Sequence, residues 1–322
     1  MDRRAFLGAL ASGLLAAPLA VAQPKVPRIG LLIWYAPDPG VQELFRQGFR
    51  EAGYVEGQNV VVEWRWAERK PARAAELARE LVRLNVDVLV VHPTPVIEPA
   101  QNATRTIPIV VLAGNPVGTG AAASLARPGG NTTGVSTNAV ELAGKRLELL
   151  REILPRMRRV GFLAYSGDAN GPLFVDQTRA TAQRMGIQVL PQFVRGPEEF
   201  DAAFAAIVEN RAEALMVQPV FTNEAKLGRR IAEFALRHRL PTASQFPQFT
   251  EAGGLIAYGA NSAALYRQVA EYVDRILKGA RPADLPIQEP TQFELIINLK
   301  TARALGLTIP PSLLQRADLV IE

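Results

Sequence analysis

The sequence contains no cysteine, and this absence removes several kinds of chemistry at once. Disulfides, thiolate metal sites, cysteine nucleophiles and a lipid-modified N-terminal cysteine are all excluded. Histidine is scarce too, since only His92 and His238 are present. His238 stands between two arginines at the end of a helical pattern, which is typical of a solvated last turn. We therefore expect neither a metal site nor a cofactor.

Clusters of one charge are also missing. The chain has 36 Lys and Arg against 31 Asp and Glu, which gives a net charge of +5. These charges are interspersed, without a basic run or a stripe of alternating basic and aromatic residues. A nucleic-acid partner needs such a cluster, so we expect a mildly basic solvated surface and no nucleic-acid binding.

Catalytic motifs are a third absence. No G-x-S-x-G elbow, phosphate-binding Walker loop or G-x-G-x-x-G turn follows any predicted strand. His92 lies near a strand end, but a lone histidine without a partner is more often a hydrogen-bonded wall residue than a base. Asp38 and Asp168 form the one pair of strand-end carboxylates that a hydrolase could use. The sequence therefore favours a protein that is not an enzyme.

The N-terminal 22 residues have the features of an export signal. Arg3 and Arg4 form a twin-arginine start, the run Leu7–Leu19 is apolar, and Ala20-Val21-Ala22 offers small residues for cleavage. The apolar run is shorter than the roughly 20 residues that span a bilayer. We predict a signal peptide over 1–22, cleavage near Ala22 and a periplasmic protein. Twin-arginine and general secretion routes both remain open.

Strand and helix patterns alternate along the rest of the chain. Arg28–Tyr35 and Asp87–Val91 are short apolar or β-branched runs, whereas Val41–Ala52 has the spacing of an amphipathic helix. This alternation predicts an α/β protein with parallel strands and crossover helices. A segment rich in Gly and Pro, Gly114–Gly134, interrupts the rhythm before it restarts. Two doubly wound parallel-sheet lobes are therefore predicted.

The breaks in this rhythm also predict the domain boundaries. Glycine and proline at each break permit the local backbone change that a hinge needs. We assign residues 23–130 and 251–285 to lobe 1 and residues 131–250 and 286–322 to lobe 2. The three crossings of the hinge are predicted near Arg127–Thr137, Gln245–Gly254 and Ala280–Gln292.

The residues that follow the predicted strands indicate where a ligand binds. In open parallel sheets, ligands lie at the carboxyl ends of the strands or between lobes. Small hydroxyls, amides and aromatics stand at these positions, and they suit a small neutral or zwitterionic molecule. The candidate ligand-binding residues are Tyr35, His92, Thr94, Asn115, Thr137, Ser166, Gln218, Phe221, Ser244, Tyr258 and Asn261.

Four segments carry a resemblance to a known family. They are RPGGNTTG at 127–134, EAGGL with YG at 251–259, ILKGARPADLP at 276–286 and FELIINLKTA with ALGL and AD at 293–318. Together they resemble the substrate-binding proteins of ABC transporters, in the family that includes binding proteins for tryptophan and tyrosine uptake. The resemblance extends from Arg28 to Glu322. It implies a type I periplasmic binding fold with two lobes and three crossings, closure around a small ligand, and delivery to a permease in the inner membrane.

One position departs from the family pattern. Asn115-Pro116-Val117 stands where the family usually has Asp-Pro-Val. If that aspartate holds a ligand ammonium, an amide cannot match its charge-assisted bond. We carry over only the binding role, so amino-acid specificity stays open, and Trp34-Tyr35 favours an aromatic or planar ligand. We also expect the receptor to be a monomer. Two alternatives remain: an exported α/β enzyme of the hydrolase or glycosyl transfer class, and a ligand sensor for a membrane kinase.

Overall fold

The structure, a computed structural model, describes residues 25–322. The predicted signal peptide at 1–22 lies outside the described residues. Within 25–322, no helix combines the length and the apolar character that crossing a membrane requires.

The first lobe is built on a five-stranded sheet. Its strands are β1 (Arg28–Ile33), β2 (Val61–Trp66), β3 (Val88–His92), β4 (Ile109–Ala113) and β5 (Thr132–Ser136), and its first helices are α1 (Pro39–Glu51), α2 (Pro71–Arg83) and α3 (Ile97–Ala103). The strand order is β2-β1-β3-β4-β5, with every pair parallel. β3 and β4 are buried along their whole length, as strands covered by helices on both faces must be.

The second lobe is built on a seven-stranded sheet. Its strands are β6 (Arg159–Tyr165), β7 (Gln188–Val194), β8 (Ala214–Val217), β9 (Thr242–Ser244), β10 (Ile256–Ala260), β11 (Phe293–Asn298) and β12 (Leu319–Ile321). The order is β12-β11-β10-β9-β8-β6-β7, and β10 and β11 form its antiparallel pair. The helices after the first three are α4 (Ala143–Ile153), α5 (Asn170–Met185), α6 (Phe200–Glu209), α7 (Pro219–Thr222), α8 (Ala225–Arg237), α9 (Pro247–Glu251), α10 (Ser262–Leu277), α11 (Leu299–Leu305) and α12 (Pro311–Leu314).

Helix α10 returns from the second lobe to cover the first sheet. It packs along α1, and the two helices approach most closely at Gly48. A Cβ atom at this position would lie 2.6 Å from the carbonyl oxygen of Tyr266. Because glycine has no Cβ, it lets the α10 backbone reach this distance. The aromatic rings of Phe45 and Tyr266 pack edge to face beside this contact, with centroids 4.6 Å apart.

The chain passes between the lobes three times. The first crossing is the segment 137–142 between β5 and α4, and the second is at Asn261 between β10 and α10. The third lies at 289–292, since Gln288 still pairs with Val135 of β5 whereas β11 belongs to the second sheet. The predicted two-lobe α/β fold with three crossings is confirmed.

The positions of the crossings correct the predicted boundaries. Residues 131–136 belong to the first lobe because β5 pairs with β4, and residues 251–260 belong to the second lobe through β10. The second crossing therefore lies at Asn261 and not within Gln245–Gly254. Gly253, with a φ of +109°, instead forms the turn between α9 and β10. Glycine occurs in tight turns as readily as in hinges. The glycines at 253 and 254 therefore led to a wrong prediction for the second crossing.

Candidate ligand-binding site

The carboxyl ends of strands from both sheets enclose a cleft between the lobes. The cavity that remains between its walls is small, with a volume of about 30 Å³. Its wall contains polar side chains together with aromatic rings and prolines. The lining residues are Tyr35, His92, Pro93, Thr94, Ala113, Gly114, Thr137, Ala139, Asp168, Asn170, Phe174, Gln218, Pro219, Val220, Gln245 and Phe246.

The two lobes touch each other around this cleft. Asn170 of the second lobe donates from Nδ2 to Thr94 Oγ1 of the first lobe at 2.8 Å. Asn223 of the second lobe donates from Nδ2 to His92 Nε2 at 3.2 Å. The rings of Trp34 and Tyr165 also pack across the boundary, with centroids 5.9 Å apart. The structure therefore has the lobes closed on each other.

Asp168 is the carboxylate of the cleft wall. Its side chain follows β6, and the residue is 5% exposed. Oδ1 accepts the backbone N–H of Asn170 at 2.9 Å, and Oδ2 accepts Gln218 Nε2 at 2.7 Å. Burial raises the pKa of Asp168 to about 6. Among residues 25–322 no cation lies within ion-pair distance of this carboxylate, so the site contains a buried acid whose charge the protein leaves uncompensated.

Two buried amide atoms of the wall have no hydrogen-bond partner in the described chain. They are Asn170 Oδ1 and Gln245 Nε2. Asn170 is 1% exposed and Gln245 is 2% exposed, so solvent reaches neither side chain freely. Leaving a buried polar atom unpaired costs about 1–3 kcal/mol. Both residues line the cleft with Asp168, so these two atoms are candidate hydrogen-bond partners for a bound molecule.

His92 is a fully paired wall residue. Its Nδ1 lies 2.9 Å from the carbonyl oxygen of Leu112, and because a carbonyl only accepts, Nδ1 carries the proton. Nε2 is then the acceptor for Asn223. Burial lowers the pKa of His92 to about 4, so the ring is neutral near pH 7. This neutral ring, with a hydrogen bond at each nitrogen, forms part of the wall. It packs edge to face on the ring of Tyr35, with centroids 5.7 Å apart.

Five of the predicted residues line the cleft in the structure: Tyr35, His92, Thr94, Thr137 and Gln218. Gln218 faces inward but uses both ends of its amide on the protein. Its Oε1 accepts the backbone N–H of Tyr165 at 2.7 Å, and its Nε2 donates to Asp168. It therefore supports the carboxylate and has no free polar atom of its own to offer.

Two predicted residues, Phe221 and Ser244, lie inside the second lobe and not on the cleft. Ser244 Oγ lies 2.7 Å from Thr222 Oγ1 and donates to the carbonyl oxygen of Val217 at 3.0 Å. Phe221 packs edge to face on Phe200 at 5.2 Å. Both side chains point inward because α7 begins directly after Gln218 and because alternate residues of a strand face opposite sides.

Four further predicted residues serve local structure outside the cleft. Asn115 Oδ1 accepts the N–H of Gly118 at 2.7 Å, and Ser166 Oγ donates to the carbonyl oxygen of Val194 at 3.2 Å. Asn261 caps α10 through the N–H of Ala264 at 2.8 Å. The ring of Tyr258 stacks on that of Phe293, with centroids 6.4 Å apart.

The candidate ligand-binding residues predicted from the sequence include neither the two unpartnered amides nor the buried acid Asp168. Asp168 and Gln245 follow predicted strands, so their positions could have identified them as ligand contacts. Asn170 is the first residue of α5, and no sequence pattern marks it as a ligand contact. Asn115 is not among the residues that line the cleft, although its neighbour Gly114 is. Asp38 caps α1, where its side chain accepts hydrogen bonds from the backbone N–H groups of Gly40 and Val41. It therefore forms no carboxylate pair with Asp168 in the cleft.

The described residues contain no group of three or more His, Asp and Glu side chains that could hold a metal ion. The polar groups that converge on the cleft are amides, hydroxyls and one carboxylate. Such a set binds a small organic molecule by hydrogen bonds and charge.

Known proteins are similar to this chain in both sequence and fold. A tyrosine-binding protein of Clostridioides difficile is 25% identical over 264 residues, which is 82% of this chain and 75% of the relative. A protein of Streptococcus pneumoniae solved in complex with L-tryptophan has a TM-score of 0.84 and 26% identity, and the match covers 92% of this chain and 99% of that one. A conserved domain protein of Vibrio cholerae has a TM-score of 0.85 and 28% identity, with 92% and 100% covered.

A family model described as ABC transporter substrate binding protein matches residues 39–321. This match covers nearly the whole described chain, including both lobes and all three crossings. Members of this family capture a small ligand and hand it to an ABC permease, and they are not enzymes. The closed lobes and the buried polar cleft between them fit that role. The chain belongs to the ABC transporter substrate-binding protein family, as the solute-binding component of an importer.

Proposed function

We propose that the chain captures a zwitterionic amino acid with an aromatic side chain. The observation that carries this proposal is the buried Asp168 carboxylate, which lines the cleft without a cation beside it. A ligand ammonium would compensate its charge. The Asn170 Oδ1 atom, which has no partner among residues 25–322, would accept a second ammonium proton. Charge-assisted bonds of this kind are about twice as strong as neutral ones.

The remaining wall suits the apolar body of such a ligand. Phe174 and Phe246 line the cleft together with Tyr35 and two prolines. Aromatic and proline surfaces pack on a planar ring without requiring polar partners from it. The tyrosine-binding and L-tryptophan-bound relatives support this ligand class.

Closure of the lobes completes the proposed capture. Asp168, Asn170 and Gln245 all belong to the second lobe, so a ligand first binds there. The first lobe then closes over it, and the hydrogen bond from Asn170 to Thr94 forms across the cleft. A ligand shifts the open and closed populations only by its difference in affinity for them. The ligand contacts that form only on closure supply this difference.

We further propose that the protein works as a monomer in the periplasm after removal of residues 1–22. The export signal in the sequence supports the location. The enclosed site lies within a single chain, so a second copy is not needed to complete it.

The proposal is tested by calorimetry on residues 23–322 with L-tryptophan, L-tyrosine and the other common amino acids. We expect binding of an aromatic amino acid, and we expect Asp168→Asn to weaken it by roughly 10- to 150-fold. Asp176→Asn is the matched control, because Asp176 is an exposed aspartate on α5 and should leave affinity unchanged. No binding of any amino acid by the wild-type chain, or equal affinities for the two variants, would refute the proposal.

A further inference from the structure

A buried arginine lies directly behind the cleft wall. Arg146 of α4 is 2% exposed. Its guanidinium donates from Nη1 to the carbonyl oxygen of Ala139 at 3.0 Å and from Nε to that of Tyr258 at 2.8 Å. Its Nη2 lies 3.5 Å from Gln245 Oε1. No carboxylate within the described range approaches this guanidinium to ion-pair distance, and its hydrogen bonds go to neutral oxygens. Glu141 interacts with its charge from farther away.

This contact fixes the direction of the Gln245 amide. A guanidinium only donates hydrogen bonds, so the amide must turn its oxygen toward Arg146. Its nitrogen then points away from Arg146 and has no partner within residues 25–322, and the residue lines the cleft. Gly259 supports the same placement from β10, because a Cβ there would lie 2.4 Å from Gln245 Cγ. The side chain is therefore seated by a glycine on one side and an arginine on the other.

We propose that the Gln245 amide, oriented by Arg146, is the subsite for the carboxylate of the ligand, and that Arg146 acts as its positioning residue. This subsite rests on the proposed amino-acid ligand. Gln245 supplies two N–H donors at the cleft surface. Arg146 supplies the buried positive charge behind them, which favours an anionic group at this wall and disfavours a cationic one.

The arrangement separates the two charges of a zwitterion. Asp168 follows β6 and Gln245 follows β9, and the single strand β8 lies between these two. The acid faces the ammonium and the donor amide faces the carboxylate, both within one cleft. A ligand bound in the reverse direction would place its carboxylate against Asp168. The two wall residues together therefore set the direction in which the ligand lies.

The test uses probes that carry one charged group each. Indole-3-propionate has the carboxylate without the amine, tryptamine has the amine without the carboxylate, and L-tryptophan has both. Wild type, Gln245→Met, Gln245→Glu and Arg146→Met are titrated with each probe, and their folding is checked by thermal unfolding. We expect the three variants to weaken the binding of indole-3-propionate and L-tryptophan by roughly 5- to 150-fold and to bind tryptamine no more weakly than wild type does.

Arg146→Lys separates positioning from mere structural support. Lysine keeps a donor and a positive charge behind Gln245, so this variant should bind indole-3-propionate more tightly than Arg146→Met does. If Arg146→Met does not fold, Gln245→Glu still decides the question, because its carboxylate pairs with Arg146 and removes the donors from the cleft.

The other possible results distinguish failure of the carboxylate subsite from failure of the proposed amino-acid ligand. If L-tryptophan binds but the Gln245 variants weaken all three probes equally, or weaken none, the carboxylate subsite is wrong while the amino-acid proposal stands. The same holds if wild type binds tryptamine but not indole-3-propionate. If wild type binds none of these probes, nor L-tyrosine and the corresponding tyrosine probes tyramine and 3-(4-hydroxyphenyl)propionate, both proposals are refuted.

Discussion

Arg69 of the first lobe and Glu224 of the second lobe form an ion pair across the closed cleft. Arg69 Nη2 lies 3.1 Å from Glu224 Oε2, and each side chain is 14% exposed. The same guanidinium donates to the carbonyl oxygen of Val220 at 3.2 Å and lies over the ring of Tyr35 at 5.5 Å. These contacts join the lobes beside the ligand site, without themselves requiring the ligand.

The backbone that carries Arg69 has an uncommon conformation. Glu68 and Arg69 have φ values of +51° and +61°, two consecutive left-handed residues that are not glycine. The Arg69 N–H donates to the carbonyl oxygen of Trp34 at 2.8 Å, which holds this turn against the end of β1. Left-handed backbone at such residues costs of order 1 kcal/mol each. The fold therefore contains a strained turn at these two residues, and this turn places the Arg69 side chain at the lobe boundary.

The first prediction concerns the ion pair between Arg69 and Glu224, which we call the latch. Arg69→Ala should weaken ligand affinity by roughly 5- to 30-fold, because a partly buried ion pair of about 1–2 kcal/mol is lost only from the closed form. X-ray scattering of the ligand-free variant should give a larger radius of gyration than wild type. Arg65→Ala is the control, since Arg65 pairs with Glu80 inside the first lobe at 2.8 Å. A control that opens the lobes as far as Arg69→Ala does would show that the latch is not specific.

The second prediction is the pH dependence of binding. Because burial raises the pKa of Asp168 to about 6, the acid loses its charge as the pH falls from 7 to 5. An ammonium ligand should then bind less tightly, by up to about tenfold per pH unit below 6. His92, with a pKa of about 4, stays neutral over this range. Calorimetry at half-unit intervals measures the slope, which Asp168→Asn should abolish.

Asp168 should act in the opposite direction on the stability of the ligand-free protein. Its ordinary pKa is 3.8, so the folded chain holds this proton more tightly than the unfolded chain does. The contribution of Asp168 to the free energy of unfolding is therefore greatest below about pH 4 and is lost as the pH rises through about 6. Denaturant unfolding of wild type and Asp168→Asn, compared at pH 5 and pH 7, isolates this contribution. A difference that does not change between the two pH values contradicts it.

Gly48 gives a prediction about the packing of the first lobe. In Gly48→Ala the new methyl would overlap the carbonyl oxygen of Tyr266, 2.6 Å away, and α10 would have to move from α1. Overpacking of this kind costs about 1–3 kcal/mol, measurable as a lower midpoint of urea unfolding. Gln47→Ala, an exposed change one residue earlier on α1, is the control and should leave that midpoint within the usual error.

Export provides the last prediction. N-terminal sequencing of protein recovered from the periplasm should begin at or near Gln23, because Ala20-Val21-Ala22 has the form of a cleavage site. Replacing Arg3 and Arg4 with lysine should block export by the twin-arginine route. Unchanged export of that variant would assign the chain to general secretion, and an intact Met1 on periplasmic protein would contradict cleavage.

The alternation of strand and helix could be read from the sequence because burial on both faces demands continuous β-branched runs. The predicted strand Asp87–Val91 coincides, within one residue, with β3 at Val88–His92. The hinge was harder to locate, because the Gly253-Gly254 pair has the same composition as a flexible crossing. Its actual counterpart, Asn261, is a helix cap without any glycine signal.

The site was predicted to the level of the sheet edge but not to the level of the side chain. A strand end identifies the edge, whereas the direction of each side chain there depends on alternation and on the first turn that follows. Ser244 and Gln245 are neighbours, yet Ser244 points into the lobe and Gln245 lines the cleft. A shift of one residue is therefore enough to exchange a buried support for a ligand contact.

The bonds of Arg146 have a consequence for engineering. Its guanidinium touches Ala139 in the first crossing and Tyr258 on the strand that leads into the second, as well as Gln245 on the wall. Arg146 thus contacts both the proposed carboxylate subsite and the segments that connect the lobes, so a change in one affects the other. A fluorescent biosensor made by redesigning Gln245 for a new analyte would alter its opening motion in the same step, so its signal amplitude and its affinity would have to be tuned together.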